Sequence, residues 1–358
     1  MKIGILTYHR SNNYGALLQA IALRKVLSDM GHEVTFIDYW PAYHRRMYAL
    51  FSLHWMMSRK GLMGKIKYMR TCIKNHFYMK ERKCKFDKFI INKIEPYVSS
   101  TDETYDIIVH GSDQIWRKQP EIGTYNPFYF GNHSIAAKKK ISYAASMGRI
   151  SHDESDKLKL KDYFAHLDSI SVREKDLKNF VEGMGFPCIQ HIDPTLLLSG
   201  EKWIELMNIQ TRKIEKKYVL YYNLIPNSFD DERVKAFAET KGLELKTLYS
   251  KASRKNSYKD ITTADPLDFL NLIYNAEFVL TSSYHGLVFS ILFKKQFYAS
   301  FRNNAGRAES LLAQLSISDR LLQSQSQIPL DNVQINYMTV TKHLDELRTS
   351  SLSYLQNI

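Results

Sequence analysis

Cysteine is scarce in this 358-residue chain: Cys72, Cys84 and Cys188 are odd in number and show no CxxC spacing. That scarcity argues against a disulfide framework and a structural zinc site, and for a reducing compartment. No run reaches the roughly 18 apolar residues needed to span a bilayer. Met1-Lys2-Ile3-Gly4 opens into a strand pattern rather than a secretory leader. The GxGxxG fingerprint of a dinucleotide site is missing, and so are short internal repeats and any nucleic-acid motif. The expectation is a soluble, cytoplasmic protein that binds no nucleic acid.

What is present is ordinary in bulk and uneven in detail. Apolar residues make up 44% and charged residues 24%, which excludes a disordered or fibrous chain. The length is that of two α/β domains rather than one core. The net charge of +13 is not spread evenly. Residues 41–94 hold fourteen Lys and Arg against Glu81 and Asp87, a net +12, so the rest of the chain is near neutral. One basic segment on a neutral body suggests a local docking surface. Within it Leu62, Ile66, Met69, Ile73 and Phe77 recur at helical spacing, with Trp55, Met56, Met57 and Tyr68 among the cations. This is the composition of a helix lying on an anionic membrane surface. A helical hairpin packed on the body with its lysines in water fits the same pattern.

The first forty residues read as β-α-β. An apolar strand at 3–7 leads into the polar loop His9-Arg10-Ser11-Asn12-Asn13-Tyr14-Gly15. A helix follows with Ala16, Ala20, Leu23, Leu27 and Met30 on one stripe, and Gly31 ends it. Further strands are expected at 34–37, 105–110, 140–144, 169–172 and 189–192, with a helix at 174–184. A charged boundary at 210–217 separates a second series. Its strands are expected at 218–222, 243–248, 277–281 and 296–300, and its helices at 230–241, 266–275, 285–293 and 306–315. Val340, Leu344 and Leu347 mark a terminal helix. Alternating strands and helices imply parallel sheets covered on both faces. The expected architecture is α/β: two Rossmann-like domains, 1–200 and 201–330, facing across a cleft. The basic insertion 41–94 belongs to the first, and the helix at 331–358 is a candidate to cross back to it.

The most informative segment is Thr281-Ser282-Ser283-Tyr284-His285-Gly286-Leu287, at the carboxyl end of a strand and the start of a helix. Sites of parallel α/β sheets lie at such ends. A histidine there is placed for acid–base work, with hydroxyls beside it and a glycine that lets a ligand approach. A helix-start histidine held only in a loop hydrogen bond is the plainer reading.

Residues 281–293 (TSSYHGLVFSILF) and Asn13-Tyr14-Gly15-Ala16-Leu17-Leu18-Gln19 resemble the polysaccharide pyruvyl transferase family. So do Gly111-Ser112-Asp113-Gln114-Ile115-Trp116, Ser142-Tyr143-Ala144-Ala145-Ser146-Met147-Gly148, Ser171-Val172-Arg173-Glu174 and Asp193-Pro194-Thr195-Leu196-Leu197. The segments occur in order over nearly the whole chain. The resemblance implies a glycosyltransferase-B-like pair of domains and transfer of the enolpyruvyl carbons of phosphoenolpyruvate to two hydroxyls of a sugar. The products are a cyclic ketal and phosphate. Such chemistry needs a proton donor and clamps for two anionic groups, but no metal or organic cofactor. His285 suits the donor, and the resemblance assigns Arg173 to the phosphoenolpyruvate site. The chain departs from the family where an arginine commonly stands just before the histidine. Here Ser283-Tyr284-His285-Gly286 has none, and Arg302 or Arg307, in the next loop, is expected to replace it.

The N-terminal domain is expected to hold the acceptor. Asn12, Asn13 and Gly15 in one loop, and Ser112, Asp113 and Gln114 in another, offer groups that grip sugar hydroxyls. Ser282, Ser283 and Gly286 are expected to line the same cleft. Asp113 is a candidate base or a loop cap, Trp116 a sugar platform or core, and Asp193-Pro194 a structural turn. The acceptor expected is a surface-polysaccharide precursor carried on a lipid at the inner membrane face. A nucleotide-sugar glycosyltransferase on the same fold is the first alternative, although no acidic or aromatic nucleotide grip is evident. A noncatalytic membrane-surface protein is the second.

Overall fold

The computed structural model describes residues 1–151, 153–210, 216–249, 260–303, 305–330 and 333–358. The first half runs β1 (Lys2–Leu6), α1 (Tyr14–Asp29), β2 (Glu33–Ile37), α2 (Ala42–Met47), α3 (Leu53–Met57), α4 (Gly61–Lys93), β3 (Val98–Ser99), β4 (Tyr105–His110), β5 (Ala137–Ser142), α5 (Glu154–Phe164), β6 (Ile170–Val172), α6 (Lys175–Gly183), β7 (Cys188–Gln190) and α7 (Gly200–Met207). Its sheet has the order β3-β2-β1-β4-β5, all parallel, with Ile3 opposite both Val34 and Ile107. Bridges Ile141–Ser169 and Ala145–Val172 carry the β6–β7 pair on beyond β5.

The second half runs β8 (Tyr218–Asn223), α8 (Asp231–Thr240), β9 (Glu244–Tyr249), β10 (Asp260–Ile261), α9 (Pro266–Tyr274), β11 (Phe278–Thr281), α10 (Tyr284–Leu292), β12 (Gln296–Ser300), α11 (Gly306–Gln314), β13 (Leu321–Leu322) and α12 (Tyr337–Gln356). Its parallel order is β10-β9-β8-β11-β12-β13. The central strands of both sheets are buried except at Lys2 and Asp106, as their near-continuous apolar sequences require. These are the two Rossmann-like sheets expected.

The halves share one apolar core in which Leu17 and Phe36 join Phe269, Leu287 and Phe289. Tyr14, at the start of α1, stacks on Phe269 of α9 with ring centroids 4.6 Å apart. Helix α12 lies against the first half: Arg348 Nε donates to the Leu196 carbonyl at 3.0 Å and Tyr354 OH to the Ser142 carbonyl at 3.2 Å. The boundary expected at 210–217 falls mostly on 211–215, outside the described residues. Helix α7 starts where Ser199 caps it by accepting from Lys202 N. Among the described residues no helix is long and apolar enough to cross a membrane.

The basic insertion is helical, but it does not pack as a hairpin along its length. Helix α4 has 33 residues, and only Arg82, Phe86, Phe89 and Ile90 near its C-terminal end are buried. Helix α3 buries none.

Candidate functional site

The carboxyl ends of the two sheets meet around a cavity of about 230 Å³. The loop after β1 supplies Ser11 and Asn13, the first turn of α1 supplies Gly15, and the loop after β4 supplies Asp113, Gln114 and Arg117. The second sheet supplies Tyr222 near the end of β8, Ser283 and His285 after β11, and Arg307 after β12. The basic insertion takes part as well, through His44 and Tyr48 at the end of α2. His44 is buried and stacked on Tyr8 at 4.6 Å, and burial pushes it down to about 4, so it is neutral near pH 7.

His285 is the second residue of α10, whose N-cap Ser283 accepts from Gly286 N at 3.3 Å. Its ring rests against Gly15 of the opposite half. A Cβ at position 15 would lie 1.9 Å from Nδ1, which no side chain can do. Glycine at 15 is therefore required by the imidazole. The other nitrogen, Nε2, faces the Asp193 carboxylate at 3.5 Å.

Asp193 is fully buried. Its Oδ1 accepts from Thr195 N at 3.0 Å and Thr195 Oγ1 at 2.6 Å, and its Oδ2 takes an ion pair from Arg173 Nη1. Burial alone would raise this carboxyl. The Arg173 guanidinium, helped by His285 and Thr195, instead holds it well below the usual carboxylate range. Burial likewise opposes the charge on Arg173, but Asp193 and then Glu174 outweigh it and raise its pKa. Both groups are charged near pH 7, and the histidine sits at the end of a buried Arg173–Asp193–His285 chain.

Arg173 also approaches Glu174 at 3.7 Å and Asp113 at 4.0 Å, yet its Nε and Nη2 make no hydrogen bond. The Glu174 carboxyl is buried and accepts from Ser146 Oγ. Burial raises it, against the pull of Arg173 and Arg307. Arg173 and Arg307 share one support, the ring of Tyr284, at 5.0 and 5.1 Å from its centroid. The residue just before His285 thus carries two guanidiniums on its ring. Arg307 and Glu174 also border a second, wider cavity of about 930 Å³ between α6, α11 and the Met147–Ile150 loop residues.

Of the residues expected from sequence, His285, Asp113, Asn13, Gly15, Gln114, Ser283 and Arg307 come together around the smaller cavity. The others need correction. Arg173 does not line it: its side chain is 3% exposed and committed to Asp193, so it stands behind the histidine instead of in the cleft. Arg302 is exposed, outside the lining, and its backbone N donates to Ser228 Oγ. Ser282 is consumed in structure, its Oγ accepting from Leu224 N and Ile225 N at 2.9 Å each. Ser112 is buried, its Oγ donating to the Ala144 carbonyl and its N to Gln19 Oε1. Asn12 is half-buried and outside the lining. Gly286 makes room for the fold, not for a ligand: a Cβ there would meet Thr281 Oγ1 at 2.2 Å. Trp116 is core, its Nε1 donating to the Tyr129 carbonyl.

Sequence reasoning gave no site role to Asp193, Glu174, Arg117 or His44. Asp193 caps the short turn that follows β7, and as an Asp-Pro pair it reads as a turn, which it also is. Arg117 adjoins the Gly111–Trp116 motif, the one local signal that could have marked it.

The family model described as polysaccharide pyruvyl transferase matches residues 13–303. No curated protein matches the chain. Solved structures similar in shape include UDP-GlcNAc 2-epimerase from Methanocaldococcus jannaschii in complex with UDP-GlcNAc and UDP. It is 11% identical with a TM-score of 0.46, over 97% of this chain and 93% of that one. The UDP-GlcNAc 2-epimerase of Neisseria meningitidis is 9% identical with a TM-score of 0.44, over 100% and 94%. The heptosyltransferase WaaC of E. coli, solved with ADP, is 9% identical with a TM-score of 0.41, over 97% and 100%.

Proposed function

Matched by one family model over residues 13–303, the chain belongs to the polysaccharide pyruvyl transferase family, and from that membership we propose its reaction. It transfers the three enolpyruvyl carbons of phosphoenolpyruvate to two hydroxyls of one sugar, forming a cyclic ketal. The acceptor is a lipid-linked precursor of a surface polysaccharide, met at the cytoplasmic face of the membrane. The N-terminal half, 1–200, holds the sugar, and the C-terminal half, 201–330, holds phosphoenolpyruvate.

The observation that carries this reading is the buried Arg173–Asp193–His285 chain ending at a cavity walled by both halves. Protonation of the methylene carbon of phosphoenolpyruvate needs an acid aimed at carbon, and the Asp193 carboxylate at 3.5 Å behind the imidazole helps fix the ring's orientation. His285 gives its proton to that carbon. A sugar hydroxyl then bonds to the adjacent carbon, the bond to the phosphate oxygen breaks, and the second hydroxyl closes the ketal. Of the two hydroxyl protons, one restores His285 and the other leaves with phosphate, so the sum needs no oxidant, metal or further reactant. Asp113 faces the same cavity and relays the second of these protons from the hydroxyl to the departing phosphate. Arg307, in the half that holds phosphoenolpyruvate, clamps its phosphate, and Arg117 closes on the carboxylate from the acceptor half, the role in which a planar guanidinium is best. Arg173 is a positioning residue that fixes Asp193.

The test is incubation of the protein with phosphoenolpyruvate and candidate lipid-linked sugars, read by mass spectrometry. A gain of pyruvate less water, with release of one phosphate per acceptor, supports the reading. Sugar transfer from a nucleotide donor without pyruvate gain replaces it with the glycosyltransferase alternative.

A further inference from the structure

The insertion carries a run of exposed apolar side chains on α3 and α4. Over its first twenty residues, helix α4 buries no side chain. Leu62, Ile73 and Phe77 are 73, 74 and 71% exposed, and Met69 is 43% exposed. With Ile66 they recur at steps of four, three, four and four residues, which places them within roughly 80° of one another around a helix of 3.6 residues per turn. Lys67, Arg70 and Lys74 border this stripe on one side and Lys65 on the other. Beside it α3 and its flanks leave Phe51, Leu53 and Met57 exposed as well.

An exposed apolar stripe with cationic borders has two natural covers, a second copy of the helix or an anionic membrane. Charge decides between them. Two copies would bring one +12 segment against another, whereas anionic lipid complements it. We propose that α3 and the first twenty residues of α4 are a docking element for anionic phospholipid membranes, seating Leu62, Ile66, Met69, Ile73 and Phe77 at the headgroup–acyl boundary. Lysine and arginine stems reach from the stripe's borders to the lipid phosphates.

The foot of the helix ties this surface to the site. Arg82 Nη1 donates to Tyr14 OH at 2.8 Å and to the Ala264 carbonyl at 3.3 Å, and Thr263 Oγ1 donates to Glu81 at 2.8 Å. The helix is thus anchored on both halves, and Tyr14 itself lines the cavity. At 1.5 Å per residue the stripe runs from about 8 Å to about 30 Å along the helix from Arg82. A docked helix therefore holds the cleft within reach of a sugar at the bilayer surface. In that purpose the inference rests on the lipid-linked acceptor proposed above, while the docking itself is independent of catalysis.

The experiment is co-sedimentation of the full chain with vesicles of phosphatidylglycerol and phosphatidylcholine, and with phosphatidylcholine alone. Binding to the anionic vesicles that falls as salt rises is expected, with little on the neutral ones. Lys67→Gln, Arg70→Gln and Lys74→Gln together should weaken it roughly 10²-fold, at about 1 kcal/mol per charge. Ile73→Ser with Phe77→Ser should weaken it at every salt concentration without changing Tm, because both side chains are exposed. Absence of binding to anionic vesicles at low salt overturns the proposal. So does a dimer in light scattering that Ile73→Ser with Phe77→Ser dissolves, since a second copy would then be the cover. Vesicle binding without pyruvyl transfer keeps the docking and removes the functional reading, and transfer to a membrane-borne acceptor without vesicle binding does the reverse.

Discussion

Replacing Asp193 with asparagine would keep the shape of the side chain and an oxygen for Thr195, but remove the charge between Arg173 and His285. The site is fully buried, and the Arg173 side chain is 3% exposed, so water cannot take over the compensation. Breaking a buried ion pair by removing one partner costs about 3–5 kcal/mol. Glu174 at 3.7 Å and Asp113 at 4.0 Å remain near the guanidinium, which puts the expected loss near the lower end, about 3 kcal/mol. At roughly 2 °C per kcal/mol for a long chain, Tm should fall by about 6 °C. Arg173→Met should do comparable harm by stranding the carboxylate. The double variant, with both charges gone, should recover about 2 kcal/mol of the summed losses. Thermal unfolding at pH 7 is the assay. The carboxyl is held low in the folded protein, so its stabilisation is complete above its unfolded pKa of about 4 and is lost only as pH falls below that. At pH 7 the cycle therefore reads the intact pair. Losses that simply add in the double variant would refute the coupling, and with it the claim that Arg173 acts through Asp193.

Other outcomes follow from the same geometry. His285→Gln should lower turnover by about 10²–10⁴ with Tm unchanged, measured as pyruvate gained by the acceptor; near-normal turnover in a folded variant removes the acid role. Gly15→Ala deletes no chemical group, yet its methyl displaces the imidazole by more than an ångström and should slow transfer by about 10². An unimpaired Gly15→Ala protein would mean the ring does not rest there during catalysis. Arg307→Lys should raise KM for phosphoenolpyruvate more than it lowers kcat; unchanged donor kinetics would place the clamp elsewhere. Burial lowers His9, His44, His133 and His191 to about 4. Their contribution to stability is full above the unfolded value of about 6.5 and is lost as pH falls toward 4. Tm should drop steeply between pH 6.5 and 5, and a flat profile there would contradict their burial as neutral rings.

The strands and helices were largely readable because burial on both faces demands continuous apolar runs, and caps such as Asn13, Ser283 and Gly31 punctuate them. The site was half readable. His285 and Asp113 sit at strand ends, where chain order alone brings them to the sheet edge. Asp193 was hidden because its partners, Arg173 and His285, are 20 and 92 positions away, and only the folded chain joins them. Ser282 and Ser112 misled for the opposite reason: a hydroxyl near a site is as easily spent on a backbone amide or carbonyl as on a ligand. The missing arginine shows the same limit. No local motif records that Arg307 folds back over Tyr284, since that contact spans two helix starts.

The seat of His285 on Gly15 makes the position of the imidazole conditional on both halves. One half of the chain supplies the imidazole, and the other supplies the surface that fixes its rotamer. If the halves part by even an ångström or two, the ring loses its backstop and its aim together. Under the reaction proposed above, the ring is aimed only while both walls of the cavity are in register, so the contact would act as an interlock on the proton transfer.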